Sequence, residues 1–213
     1  MSRVSPWLRF SGVVLVLAAQ AAPAATLVSY PDDRATFAAR DGVSAIGNFP
    51  TAGPTSSLTV GGVTFVTDSG SLFFGNFSTR VPNNEMIISA EESFHANLPG
   101  GIFAFGFDLY EPNFSGPSGC NTAVCVDDNF SIQIFAGTTS LGSFTYNAPD
   151  DNGTSPVVSL GFFGVCSSVA FNRVVVRDVT GNLDNEMFAN FLTGTLPTPA
   201  LGTSWGRLKI MYR

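Results

Sequence analysis

The sequence is poor in charge, in histidine and in cysteine, and each scarcity narrows what the chain can do. Only 12% of its 213 residues are charged, against a usual share of roughly 25% in soluble domains. Ser, Thr, Asn and Gly must therefore cover most of the wetted surface, a composition common among exported β proteins. There is one histidine, His95, so a zinc centre built on several imidazoles is excluded. A Ser-His-Asp hydrolase would have to be built around that residue, which has no Gly-x-Ser-x-Gly context near it; His95 reads as a strand histidine at a sheet surface. Basic residues are few as well. Between Ala25 and Pro199 sixteen carboxylates face five arginines, Arg34, Arg40, Arg80, Arg173 and Arg177, a balance that argues against nucleic acid and anionic membranes as partners. The same carboxylates suit a divalent cation, and calcium is the one an extracellular medium supplies.

Long apolar runs are confined to the start. Arg3 and Arg9, the apolar stretch from Phe10 to Ala19 and the small residues Ala22-Pro23-Ala24 form the three parts of a secretory signal. Residues 1–24 are expected to be removed and the product to be secreted to the extracellular side. No later stretch approaches the roughly twenty apolar residues of a membrane span, so none is expected in the mature chain. Of the three cysteines, Cys120 and Cys125 lie in a Gly/Pro/Asn loop that an oxidising compartment can staple with a disulfide. Cys166, in an apolar stretch, reads as a buried inert thiol.

What the chain has in quantity is phenylalanine, glycine and proline: 20, 22 and 13 residues. After a short strand over Thr26 to Tyr30, Pro31-Asp32-Asp33 opens a helical turn carrying Ala35, Phe37, Ala38 and Ala39, which Gly42 stops. From there, segments rich in Val, Ile, Phe and Thr recur between turn residues. They cover Ser57 to Thr67, Ser71 to Phe74, Met86 to Ala90, Phe94 to Leu98, Ile102 to Tyr110, Phe130 to Ala136, Leu141 to Tyr146, Val157 to Phe163, Val169 to Val179 and Glu186 to Thr193. The expectation is an all-β protein: an antiparallel, jelly-roll-like β-sandwich with one short N-terminal helix, a single domain over residues 25–199 and a basic, mobile tail over 200–213. Alternation places Phe103, Phe105, Phe107 and Leu109 on one face of a strand, with Ala104, Gly106 and Asp108 on the other. The aromatic face is the expected core.

Acidic clusters at turns and strand ends are the candidate metal sites: Asp32 with Asp33, Asp127 and Asp128 with Asn129, Asp150 and Asp151 with Asn152, and Asp184 and Asn185 with Glu186. Calcium takes six to eight oxygens, which carboxylates and Asn carbonyls on neighbouring loops can supply. None has EF-hand spacing, and Asp and Asn also suit turns with no metal at all. Asp184 and Asn185 are favoured, because a sandwich's last strand commonly lies beside its first. Tyr110, Phe114 and Tyr146, near the long turn-rich segment between Tyr110 and Val126 or at a strand end, are the candidate ligand-binding residues, able to stack on sugar rings. Asp108 and Glu111 are the best-placed carboxylates for cleaving a glycosidic bond, but their odd spacing puts them on opposite faces of a regular strand. No enzyme is expected.

Five segments in order carry a resemblance. They are Asp33-Arg34-Ala35-Thr36-Phe37, the strand pair from Leu58 through Gly61-Gly62 to Phe65, the run Leu98-Pro99-Gly100-Gly101-Ile102 to Leu109, Gly161-Phe162-Phe163-Gly164-Val165, and Leu183-Asp184-Asn185-Glu186-Met187-Phe188. Together they resemble the exported bacterial β-sandwich proteins that end in a PEP-CTERM sorting signal. That resemblance implies a surface or matrix protein of a bacterium that secretes exopolysaccharide, and it brings no catalytic motif. The sorting signal is not intact: Leu196-Pro197-Thr198-Pro199 stands where the family has Val-Pro-Glu-Pro, with no hydrophobic span after it. A freely secreted, noncatalytic, surface- or matrix-associated protein that binds polysaccharide is the resulting expectation. The alternatives are a jelly-roll carbohydrate hydrolase and a structural subunit that self-assembles through strand edges or Cys166.

Overall fold

The computed structural model describes residues 24–77, 83–110, 129–147, 160–179 and 186–198. In chain order they form β1 (Leu27–Ser29), α1 (Arg34–Ala38), β2 (Val43–Ala45), β3 (Ala52–Thr55), β4 (Ser57–Val60), β5 (Val63–Thr67), β6 (Leu72–Gly75), β7 (Glu85–Ile88), β8 (Phe94–Tyr110), β9 (Asn129–Ala136), β10 (Thr139–Asn147), β11 (Gly161–Asp178) and β12 (Met187–Gly194). Pairing is antiparallel throughout these strands, and the fold is a β-sandwich with one short helix, as the strand pattern indicates. The helix starts where Asp33 caps it, its carboxylate accepting from the Thr36 amide at 3.1 Å.

Two long strands serve both sheets. The first half of β8 pairs with β5 on one side and the second half of β11 on the other, and β11 continues the sheet to β9 and β10. The second half of β8 pairs with the first half of β11 and with β12, which carries on to β2 and to β7, β6 and β3. The bend between the halves is a pair of register breaks, between Cys166 and Phe171 and between Phe171 and Arg173 of β11. Four segments expected as separate strands are thus two, because the β8–β11 ladder resumes across the bend.

The breaks also shift the phase of the side chains. In the first half of β8 the residues Phe94, Ala96, Leu98 and Ile102 face the core; in the second half Phe105, Phe107 and Leu109 do. Phe103, expected beside them, falls at the phase change and is only half-buried outside that cluster. The strand-rich segment Ser57 to Thr67, which holds the strand pair from Leu58 to Phe65, is a hairpin turned by Gly61 and Gly62 with φ of +56° and +82°, the geometry of a tight two-residue turn. Strands β2 and β3 were not foreseen, since Val-Ser-Ala and Ala-Gly-Pro-Thr carry little strand pattern.

Between the sheets the core is aromatic. Phe65 of the first sheet lies 4.6 Å from Phe191 of the second, and Phe94 lies 4.9 Å from Phe188, both edge to face, the arrangement that ring quadrupoles favour. A smaller apolar layer lies outside the second sheet. There Phe37 of α1 packs with Ala104, Phe162, Cys166 and Leu192, over Gly106 and Gly164, which are directly opposite each other on β8 and β11. A Cβ at Gly164 would sit 2.6 Å from Cδ2 of Phe37, and one at Gly106 would sit 2.9 Å from its Cε1. The paired glycines are the seat of the helix. Gly164→Ala should cost about 1–3 kcal/mol by overpacking and much less in a Phe37→Ala background, which a double-mutant cycle of denaturant unfolding measures.

Candidate functional site

The outer faces of the two sheets differ. On the first, core packing by Phe65, Phe94, Ala96, Ile132, Ile134, Val174 and Val176 leaves the alternate residues of five adjacent strands pointing outward. One row runs in register across the sheet through Val66, His95, Val175, Gln133 and Ser143; the next runs through Thr64, Asn97, Arg173 and Phe135. Five strands at about 4.8 Å spacing make this open face roughly 19 Å wide. Its side chains are hydroxyls, amides, a guanidinium, an imidazole, the two valines Val66 and Val175, the latter buried, and one half-buried ring, Phe135. The Arg173 guanidinium lies over that ring, 4.8 Å from its centroid.

At one end of the face His95 Nδ1 lies 3.0 Å from Asp68 Oδ1, and Arg177 Nη2 is 3.9 Å from Asp68 Oδ2. Beside them is an open depression of about 390 Å³ lined by Asp68, Glu91, Ser93, Arg177 and Asp178. His95 is therefore a sheet-surface histidine, as expected, and its partner is a carboxylate.

The second sheet's outer face is closed by α1 and carries a tied-up polar cluster. Asp108, 4% exposed, accepts from Arg34 Nε at 2.9 and 3.1 Å and from Asn190 Nδ2 at 2.8 Å. Asn190 has a φ of +48° where the β12 register breaks, and its Oδ1 accepts from Asn83 at 2.7 Å. Burial raises the Asp108 carboxyl above the usual carboxylate range, against the opposing pull of Asn190 and Arg34. Both its oxygens are used in holding α1 and β12 together. Glu111, its expected partner, lies outside the described residues. Next to this cluster Tyr146 Oη donates to Asp32 Oδ1 at 2.6 Å, and Asp32 Oδ1 also accepts from the Phe162 amide at 3.1 Å.

Tyr146 and Tyr110 were expected to offer rings to a sugar, and this is corrected: they are 3% and 8% exposed. Tyr146 lies on the inward phase of β10 with its ring 5.7 Å from Phe163, so its ring is core and only its hydroxyl meets polar groups. Phe114, the expected metal residues Asp127, Asp128, Asp150, Asp151, Asp184 and Asn185, and the expected disulfide of Cys120 with Cys125 all lie outside the described residues. Among the described residues no group of three or more His, Cys, Asp or Glu is placed to hold a metal ion. Cys166 is a buried thiol, 1% exposed, as expected, and burial pushes it up. No helix among the described residues is long and apolar enough to cross a membrane.

Arg173, Phe135, Gln133 and Asn97 were not singled out by the sequence. A signal was there: Phe130, Ile132 and Ile134 set the inward phase of β9 and Ser131 and Gln133 the wet one, so Phe135 is an aromatic in a polar register.

No protein-family model matches the sequence, and no curated protein matches it. Among solved structures the chain is similar to a family 29 carbohydrate-binding module complexed with mannohexaose, at 16% identity and a TM-score of 0.43 over 72% of this chain and 91% of that one. A xylan-binding domain of family 22 is 12% identical, with a TM-score of 0.34 over 71% of this chain and 100% of that one. An enzymatically active domain of a bacteriophage tailspike protein is 14% identical, with a TM-score of 0.36 over 62% of this chain and 19% of that one.

Tyr146 gives a test of the buried cluster. Burial first, and then the hydrogen bond to Asp32 and its charge, push its phenol far above the ordinary value of about 10. The unfolded chain ionises this tyrosine near pH 10 and the folded chain does not, so its contribution is intact below that pH and is lost as pH rises above it. Unfolding followed from pH 8 to 11 should show stability falling above pH 10, with a shallower fall in Tyr146→Phe.

Proposed function

We propose that this is a noncatalytic extracellular protein, associated with the surface or matrix of the cell that exports it, which binds polysaccharide on the open face of its first sheet. The observation that carries this reading is the in-register platform of hydroxyl, amide and guanidinium groups around one half-exposed ring. Sugar chains present the complementary pattern of repeated hydroxyl donors and acceptors with apolar C–H faces. A platform formed by strands rather than loops keeps those groups fixed, which lowers the ordering cost of binding. The secretory leader expected over residues 1–24 supports an extracellular location, and the engagement of Asp108 by Arg34 and Asn190 supports a noncatalytic role.

The test is a pull-down of the secreted protein with its producer's exopolysaccharide. The wild type should be retained, and Gln133→Ala combined with Asn97→Ala should weaken retention about tenfold or more through lost hydrogen bonds. Retention unaffected by that pair removes the open face as the site, and no retention at all removes polysaccharide as the partner.

Calcium enters this proposal as a structural ion held by Asp184 and Asn185, with Asp127, Asp128, Asp150 and Asp151 as further candidates. Calcium binding to the native state should raise Tm in proportion to the logarithm of its concentration. A melting curve identical in calcium and in chelator dismisses the ion.

A further inference from the structure

The four arginines of the described residues differ in what meets their charge. Arg34 pairs with Asp108, Arg40 donates to the Tyr30 hydroxyl at 2.7 Å, and Arg177 shares Asp68 with His95. Arg173 is exposed, has no carboxylate within ion-pair distance among the described residues, and rests on Phe135, its direct cross-strand neighbour. A guanidinium held against a ring is already oriented, with its fork of N–H donors free at the edge. That fork matches the two oxygens of a carboxylate or a sulfate. Four residues along the same strand, about 13 Å away, the face ends at Arg177 and the carboxylates of Asp68, Glu91 and Asp178, three acids to one guanidinium. The platform is therefore cationic at one end and net acidic at the other, where Arg177 offsets one of three carboxylates, with neutral Asn97 and Gln133 beside Arg173.

We propose that the open face selects a sparsely acidic glycan, seating one anionic substituent on Arg173 while neutral sugars run toward the Asp68 end. A chain with an acid on every sugar would place charge against an end where three carboxylates outnumber one guanidinium. This inference rests on the polysaccharide reading above and names its ligand class.

Affinity electrophoresis of the secreted protein at about 0.15 M salt, where charges more than about 8 Å apart are screened, tests it with four probes. Gellan carries one uronate among neutral sugars, kappa-carrageenan carries spaced sulfates, dextran is neutral, and polygalacturonate is acidic at every residue. Gellan or kappa-carrageenan should bind about tenfold or more tighter than dextran, as expected for a hydrogen bond to a charged group. Retention on gellan alone assigns a carboxylate and on kappa-carrageenan alone a sulfate; either supports the proposal. Arg173→Gln should abolish the margin without changing Tm, and Arg173→Lys, which keeps the charge but not the fork, should restore only part of it. Dextran binding as tight as either sparse polymer, a margin that survives Arg173→Gln, or polygalacturonate binding tighter than both overturns the inference and leaves the polysaccharide reading standing. Failure of all four probes, together with failure of the exopolysaccharide, removes both.

Discussion

The β8–β11 ladder is the constraint on which the rest depends. These two strands are the only elements among the described residues that belong to both sheets, and their phase changes keep apolar side chains pointing inward on each side of the bend. Had β8 kept one phase from Phe94 to Tyr110, either Phe94 and Ala96 would face water or Phe105 and Phe107 would leave the core for the side that Phe37 and the Asp108 cluster already fill. At roughly 2–3 kcal/mol for each large apolar side chain left exposed, that alternative loses decisively. The bend therefore follows from packing both halves of two long aromatic strands into one core.

With the aromatics committed inward, the two outer faces are left to different uses. Behind the second sheet, Gly106 and Gly164 create a hollow that Phe37 fills, and Asp108, Arg34 and Asn190 lock the helix over it. That face is structural, and its buried carboxylate is spent on holding elements together. The first sheet has no helix of the described residues over it, and its wet phase carries groups suited to hydrogen bonding. Its outlier, Phe135, is the residue that orients Arg173. In the proposed reading, one sandwich thus separates stability and recognition onto opposite sides.

The sequence was read well where periodicity is local. The helix start at Asp33, the Gly61-Gly62 hairpin, the inward phase of Phe105, Phe107 and Leu109, and the buried Cys166 all follow from neighbours a few residues away. It was read poorly where the answer lay across strands. Tyr146 looks like a strand-end aromatic until its partners, Phe163 and Asp32, are known. Asp108 looks like a candidate acid until Arg34 and Asn190, from distant segments, meet it. The open face needs the registers of β5, β8, β11, β9 and β10 at once, and a single chain's alternation does not say which strands are neighbours. Arg173 and Phe135, 38 positions apart in the chain, become a pair only through that register.

The most direct measurement is to map the binding surface by amide chemical-shift changes on adding the producer's exopolysaccharide oligomers to the secreted protein. The account predicts that the shifts concentrate on β5, the first half of β8, the second half of β11, β9 and β10, centred on His95, Gln133, Phe135 and Arg173. Shifts centred instead on α1, Asp32 and Asp108, with the open face silent, would contradict it.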